Sequence, residues 1–246
     1  FSNNPKDLLV FWDIPSDLSL QTISRVHSDR LILFTFNPEV PNSKEFSPKA
    51  KDLFSKIYTW NDDLVDDKKF FKFHIPALKE FSNDAPSFSD RMQCVLINTQ
   101  TKFTQSLVSE KRSNLMHTMQ SQWTNGVDET NFEDQDTLKN YRFSICYEDV
   151  CNTQGYISDK IFASFSNGCV PIYLGASNIT QYIPTNCFID RRDFDTDNEL
   201  CLFLSNLTED DYNLYISNIK AFLKTKEAKM FSMEEFTKVF TKAVEN

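Results

Sequence analysis

The amino-acid sequence predicts an α/β protein whose strands form parallel sheets. Short apolar runs of strand length alternate with stretches of helical character, and this alternation is typical of βαβ units. Residues 141–175 show the pattern most clearly, because a strand, a polar loop, a helix and a second strand follow one another there. The 23 phenylalanines among 246 residues are ample for packed cores.

The first third of the chain predicts a small sheet followed by a linker. Apolar runs at residues 8–12 and 31–36 are typical of buried strands, and residues 54–59 resemble a third. Residues 79–91 are polar, contain a proline and have no sustained period, which predicts a linker. We therefore expect a short N-terminal α/β domain over residues 1–88.

The rest of the chain predicts a second α/β domain over residues 89–225 and a C-terminal helix over residues 226–246. Strands are expected at residues 94–98, 142–147, 170–174 and 187–189, and helices at residues 107–119, 214–223 and 236–244. The strands again alternate with helices, so this sheet should also be parallel.

Composition and charge exclude several classes of partner. The net charge of −9 without a clustered basic face argues against nucleic acids and anionic membranes. No apolar run approaches the roughly 18 residues of a membrane span, although the chain begins at Phe1 without Met, so an upstream piece could have been removed. Six cysteines form no CxxC pair, which favours reduced thiols and a cytoplasmic setting, with peripheral membrane attachment left open. The sequons at Asn178 and Asn206 support the alternative, a secretory compartment.

The loop between the strand at residues 142–147 and the next helix concentrates the chemistry-bearing residues. Glu148 and Asp149 follow the strand directly, and the helix opens at Ser158 with Lys160 in its first turn. In open α/β sheets, ligands lie outside the carboxyl ends of the strands. A helix N-terminus at that edge offers unpaired N–H groups to an anion, and Lys160 adds a full charge. The loop therefore predicts a phosphate site, and its tyrosine and carboxylates suit a nucleotide that carries a sugar.

The same segment resembles a known enzyme family. The pattern YRFSICYED…GYISDKIFASFSNGCVPIYLGA is similar to the signature of the glycosyltransferase family 10 fucosyltransferases, the α1,3/4-type enzymes. The likeness continues through residues 182–194, and residues 57–76 resemble a segment of bacterial members. The resemblance implies a GT-B type fold, in which two Rossmann-like halves face each other across a cleft, with the short N-terminal half on the acceptor side. It also implies inverting transfer of L-fucose from GDP-fucose to a glycan hydroxyl.

The resemblance assigns roles to individual residues. Arg112 and Lys160 would hold the diphosphate, with Lys111 as the alternative to Arg112. Glu39, in a Glu-x-Pro context after an N-terminal strand, would act as the general base. The remaining donor contacts would come from Glu148, Asp149, Tyr156 and Asp159. In this scheme no divalent metal is required, although one could stimulate the reaction.

Two departures from the family pattern leave the donor open. Asp149 stands where the family usually has Asn, and its charge would repel a diphosphate unless it is paired. Asp159 stands where the family usually has Glu, which keeps a carboxylate shorter by one methylene. The alternatives are the same fold with another GDP-sugar, and a relative that binds nucleotide-sugar or glycan without turnover. The sequence does not specify the acceptor or the oligomeric state.

Two patterns that could be taken for metal sites are rejected. Residues 193–195 match the DxD motif of another glycosyltransferase fold, but three-residue patterns are frequent in a chain with 35 acidic residues. His27, His74 and His117 are dispersed and have neither metal-ligand nor catalytic-triad spacing.

Overall fold

The structure is a computed structural model that describes residues 7–39, 43–98, 107–123, 127–131 and 135–245. Within these ranges the chain forms two parallel sheets with helices packed against them.

The first sheet has four parallel strands in the order β1-β2-β3-β4. The strands are β1 (Leu9–Trp12), β2 (Leu31–Thr35), β3 (Lys56–Thr59) and β4 (Phe70–Lys72), and two short helices are α1 (Leu20–Ile23) and α2 (Pro48–Leu53). All three strands that the apolar runs predict are present. The sequence did not predict β4, because this strand has three half-buried residues at the edge of the sheet.

The second sheet has five parallel strands in the order β6-β5-β7-β8-β9. The strands are β5 (Met92–Asn98), β6 (Asp128–Asn131), β7 (Tyr141–Tyr147), β8 (Val170–Leu174) and β9 (Ile189–Asp190). The expected bounds of the strand at residues 187–189 were wrong. Thr185–Cys187 forms a 3-10 turn, and β9 begins only at Ile189. The polar sequence of β6, DETN, has no apolar residue to reveal a strand.

Helices cover both faces of the second sheet. They are α3 (Leu107–Gln122), α4 (Asp159–Ser166), α5 (Asp197–Asn206), α6 (Glu209–Phe222) and α7 (Lys226–Lys229), and they are followed by α8 (Met233–Glu245). Ile145 and Ile172 face the core formed with α3 and α5, whereas their neighbours Cys146 and Tyr173 face the core formed with α4. Successive residues of a strand point to opposite faces, so α3 and α4 lie on opposite sides of the sheet.

The last helix returns to the first sheet. Phe240 stacks on Trp12 with ring centroids 5.3 Å apart, and Phe236 lies edge-on to Phe34 at 5.8 Å. Helix α8 therefore packs on the N-terminal half. The residue bounds that we expected for the domains stay a prediction. None of the described helices combines the length and apolar character needed to cross a bilayer.

Candidate functional site

The loop from β7 to α4 lies at the carboxyl end of the second sheet, as expected. Ser158 caps α4 with extended backbone, and its Oγ accepts a hydrogen bond from Lys160 N at 3.3 Å. At the other end of the helix, Gly168 has a φ of +64° and allows the chain to turn into β8. The cap, the helix and the following strand all match the elements expected from the sequence.

Lys160, in the first turn of α4, is buried beside this loop rather than exposed to solvent. The residue is only 2% exposed, and its Nζ donates to Tyr147 O at 3.0 Å and to Asp149 Oδ1 at 3.1 Å. A buried ammonium is costly unless it is paired and hydrogen-bonded. Asp149 supplies that pairing, which gives the departure from the family's usual Asn a structural reason. The loop therefore holds a buried ion pair whose ammonium lies beside the N-terminus of α4.

Glu148 stabilises the end of the loop where α4 begins. Its side chain is buried, and Oε1 accepts a hydrogen bond from Ser158 N at 2.9 Å. Burial raises the pKa of Glu148 to about 7, although the Lys160 charge and the Ser158 hydrogen bonds oppose this rise. Gly175 leaves room for Glu148, because a Cβ at that position would lie 2.4 Å from Glu148 Cγ. These contacts assign Glu148 to the positioning of the helix start, and its direct contact with a donor stays a prediction.

The raised pKa of Glu148 has a consequence for folding. Between about pH 5 and pH 7 the folded chain keeps a proton on Glu148 that the unfolded chain, with a pKa of 4.5, has released. The free energy of unfolding should therefore fall as the pH rises through this window, by up to about 1.4 kcal/mol per pH unit from this group. Urea unfolding of the wild type and of Glu148→Gln at several pH values measures this slope.

The Glu148→Gln variant stays neutral and should lose the contribution of this group to the slope. The control is Glu80→Gln, which neutralises a carboxylate that is exposed to solvent. Equal slopes for the wild type and Glu148→Gln would contradict the burial argument.

Tyr156 lies in the loop before α4, and Asp159 is the first residue of that helix. Burial raises the pKa of Asp159, which lies in the first turn of α4. Tyr156 is buried and packs edge-on against Trp60 with ring centroids 4.7 Å apart. Trp60 follows β3, so Tyr156 joins the loop of residues 148–158, which we call the donor loop after its expected role, to the first sheet. Glu148, Asp149 and Tyr156 thus lie in this loop, and Asp159 and Lys160 lie in the first turn of α4 directly after it.

The expected second cation lies on α3. The described part of α3 begins at Leu107, as the sequence led us to expect, so Arg112 lies in the second turn. Arg112 is half-buried and its neighbour Lys111 is exposed. The contacts described for Lys160 do not include Arg112. Its phosphate-binding role therefore stays a prediction.

A cationic crevice that the sequence did not predict lies beside α3. It has a volume of about 460 Å³ and is lined by Lys111, Asn114, Leu174, Arg191, Arg192, Phe194, Asp195 and Asp197. Arg191 pairs with Asp197 at 2.7 Å, and Arg192 pairs with Asp190 at 2.7 Å. Arg192 also donates to Ala176 O at 3.2 Å. The sequence did contain one signal for this crevice, because Arg191 and Arg192 are adjacent and directly follow a strand, at the sheet edge where ligands bind.

Glu39 lies in the N-terminal half, four residues after the end of β2. Its side chain is exposed, and Asn61 Nδ2 donates to Glu39 Oε2 at 3.2 Å. Asn61 itself is 5% exposed and follows β3, so it holds the carboxylate near the carboxyl ends of β2 and β3. Residues 40–42, which include the proline of the motif, lie outside the described residues. The role of Glu39 as a base stays a prediction.

The acidic and histidine side chains form no metal site in the described ranges. No group of three or more His, Cys, Asp or Glu side chains converges there as ligands. The rejected motif at residues 193–195 overlaps the 3-10 turn Arg191–Asp193 and borders the cationic crevice.

Comparison with known sequences identifies the relatives of this chain. A model of the glycosyltransferase family 10 (fucosyltransferase) C-terminal region matches residues 93–243, well over half of the chain. An α-(1,4)-fucosyltransferase of Arabidopsis thaliana is 32% identical over 73 residues, which are 30% of this chain and 18% of the plant protein. The human 4-galactosyl-N-acetylglucosaminide 3-α-L-fucosyltransferase 9 is 31% identical over 83 residues. That match covers 33% of this chain and 23% of the human protein, so the chain spans less than a quarter of either relative.

Comparison with solved structures confirms the fold class. The crystal structure of an α1,3-fucosyltransferase superposes over 100% of this chain and 80% of its own, with a TM-score of 0.69 and 13% identity. An α1,3-fucosyltransferase with GDP-fucose covers 99% of this chain and 80% of its own, with a TM-score of 0.63 and 14% identity. The two parallel-sheet halves are thus of GT-B type, as the sequence led us to expect.

Proposed function

Because the chain belongs to glycosyltransferase family 10, we propose that it transfers L-fucose from GDP-fucose to a hydroxyl of a glycan acceptor. The observation that carries the proposal is Lys160, a buried cation at the N-terminus of α4. Both the charge and the helix terminus favour an anion. A diphosphate that docks there would place the sugar toward the N-terminal half.

Charge neutralisation of the departing diphosphate is the main task of the donor site. Lys160 would approach the phosphates from α4, and Arg112, with Lys111 nearby, would approach them from α3. Asp149 now pairs with Lys160, and a diphosphate would compete with Asp149 for the ammonium. Fixed cations aimed at the developing charge stabilise the transition state without reorganising. The proposal therefore requires no divalent metal.

Glu39 would serve as the base of an inverting displacement. The acceptor hydroxyl attacks the anomeric carbon of fucose from the face opposite GDP, while its proton passes to a Glu39 carboxylate oxygen. The bond from the anomeric carbon to the diphosphate oxygen breaks, and GDP leaves with the electron pair. Asn61 supports this role because its amide orients the carboxylate.

The setting of the reaction belongs to the same proposal. The cysteines are free thiols, and all except Cys151 are buried, which supports a reducing, cytoplasmic compartment. Of the two sequons, Asn178 is only 8% exposed and hydrogen-bonded through its amide, whereas Asn206 is exposed.

The experiment is a donor screen that detects free GDP. The chain is incubated with GDP-fucose or GDP-mannose, alone and with a panel of acceptors that includes N-acetyllactosamine. GDP release that requires GDP-fucose and rises with an acceptor would support the proposal. Release from GDP-mannose alone would indicate the alternative donor that Asp149 leaves open. GDP binding without release from any donor would indicate a non-catalytic relative.

A further inference from the structure

A polar network joins the two halves of the molecule next to the donor loop. Its centre is Asp62, which follows β3 in the N-terminal half. The Asp62 carboxylate accepts hydrogen bonds from Lys72 Nζ at 2.5 Å, from Asn178 Nδ2 at 2.8 Å and from Tyr182 OH at 2.7 Å. Asn178 and Tyr182 belong to the C-terminal half, so one carboxylate binds both halves. Burial would raise the pKa of Asp62, but the three donors outweigh burial and lower it.

The network continues from Asn178 into the donor loop. Asn178 is 8% exposed, and its Oδ1 accepts a hydrogen bond from Gly155 N at 2.8 Å. Asp62 N donates in turn to Gln154 O at 3.3 Å. Asp62 and Asn178 thus bind two adjacent residues of the loop, Gln154 and Gly155. The side-chain amide of Asn178 takes part with both of its polar atoms, because Nδ2 donates to Asp62 and Oδ1 accepts from Gly155 N.

Gly155 lies directly against the backbone of the N-terminal half. It has a φ of +82°, and a Cβ at this position would lie 2.3 Å from Trp60 O, 2.7 Å from Asp62 Oδ2 and 2.8 Å from Lys72 Nζ. The loop backbone therefore presses directly on the backbone after β3. The next residue, Tyr156, adds its ring contact with Trp60.

These contacts lie only a few residues before the cap of α4. Gly155 precedes the cap residue Ser158 by three positions and Lys160 by five. Because the loop has little slack over this distance, its anchoring on the N-terminal half sets where the helix begins. A small displacement of a positioned cation is sufficient to weaken its contact with a phosphate.

We propose that Asp62 is a positioning residue for donor binding, which acts through Asn178 and Gly155 to place the start of α4 and the Lys160 ammonium. The inference rests on the proposed function and deepens it. The N-terminal half, expected only to face the acceptor, then also shapes the donor site in the other half.

The first test compares Asp62→Asn with Asp67→Asn by GDP calorimetry, well below the unfolding temperature. Asp67 is an exposed neighbour with a φ of +55°, a conformation that Asn tolerates, and it lies outside the network. Asp62→Asn should raise the Kd for GDP at least tenfold, about 1.4 kcal/mol, whereas Asp67→Asn should leave the Kd unchanged. In turnover, Asp62→Asn should raise KM for GDP-fucose while kcat changes less than about threefold.

A second pair of variants tests the same idea at the loop. Gly155→Ala would force a Cβ into Trp60 O, and it should raise the Kd for GDP at least tenfold. Gly168→Ala introduces a side chain at another glycine with positive φ, where the Cβ would meet the side chains of Arg91 and Phe81 at 3.1 and 3.2 Å. This control should lower the unfolding temperature without changing GDP affinity. The glycine pair decides the question if Asp62→Asn does not fold.

The results of these experiments distinguish the positioning role of Asp62 from the proposed function. If the wild type binds GDP and both Asp62→Asn and Gly155→Ala bind it equally well, the positioning role is overturned and the proposed function stands. If Asp62→Asn only lowers the unfolding temperature, the network is structural and the inference is likewise overturned. A wild-type chain that binds no GDP would overturn the proposed function and the inference with it.

Discussion

Replacing Lys160 by methionine should weaken GDP binding at least tenfold, a loss of about 1.4 kcal/mol. Methionine has nearly the length of the lysine side chain and fills the same buried space, so the main change is the loss of the ammonium that faces the expected diphosphate. Calorimetric titration with GDP measures the effect. The tyrosine carbonyl that Lys160 now contacts, Tyr147 O, also loses a donor, which adds a cost to stability but not to the affinity of the folded chain.

The matched control removes the partner charge as well. Lys160→Met alone leaves Asp149 without its described salt-bridge partner, and this carboxylate would repel a diphosphate. The double variant Lys160→Met/Asp149→Asn has neither charge and should recover part of the affinity, but not that of the wild type. Lys68→Met, at an exposed site in the N-terminal half, should bind as the wild type does. Wild-type affinity in Lys160→Met would remove the phosphate assignment.

Replacing Glu39 by glutamine should lower kcat by about 100-fold or more and leave GDP affinity unchanged. Glutamine keeps the size of the side chain and can still accept the Asn61 hydrogen bond, but it is too weak a base to take the acceptor proton. Steady-state turnover of GDP-fucose with an acceptor, together with GDP calorimetry, measures the two quantities separately.

A loss of turnover without a loss of GDP affinity would identify Glu39 as the base. An exposed carboxylate elsewhere, Glu80, provides the control, because Glu80→Gln should keep both turnover and affinity. Near-full turnover of Glu39→Gln with an active wild type would reject Glu39 as the base. A parallel loss of GDP affinity would instead point to a change in the fold of the cleft.

Local signals explain why the donor loop could be predicted from the sequence. Ser158 is a strong cap, and Gly155 and Gly168 each mark a turn with positive φ. Each signal depends on residues within a few positions of one another. The apolar runs of β7 and β8 are likewise readable because both strands are buried on two faces.

Contacts between distant parts of the chain explain what the sequence did not reveal. Asp62 meets Asn178 and Tyr182 across 116 and 120 residues, and no local pattern encodes such a meeting. Asp62 belongs to an acidic run that typically forms a solvated face, and only the structure distinguishes it from the exposed Asp67. The crevice beside Arg191 and Arg192 was not predicted either, because it is completed by α3, which is distant in the sequence.

Both the sequence and the structure are needed to explain Asp149. The sequence showed that a carboxylate stands where the family usually has a neutral amide, and that it must be paired to coexist with a phosphate. Eleven positions separate it from Lys160, a spacing that spans the whole loop. The structure supplies the pair, because the loop returns the start of α4 to the end of β7.

A crystal structure of the chain with GDP-fucose tests the central claim most directly. The account predicts the diphosphate at the N-terminus of α4, with a phosphate oxygen within hydrogen-bond distance of Lys160 Nζ, a contact of about 2.7–2.9 Å for charged partners. A nucleotide bound elsewhere, for example in the apolar groove of about 710 Å³ between α5 and α6, with Lys160 still closed on Asp149, would contradict the account.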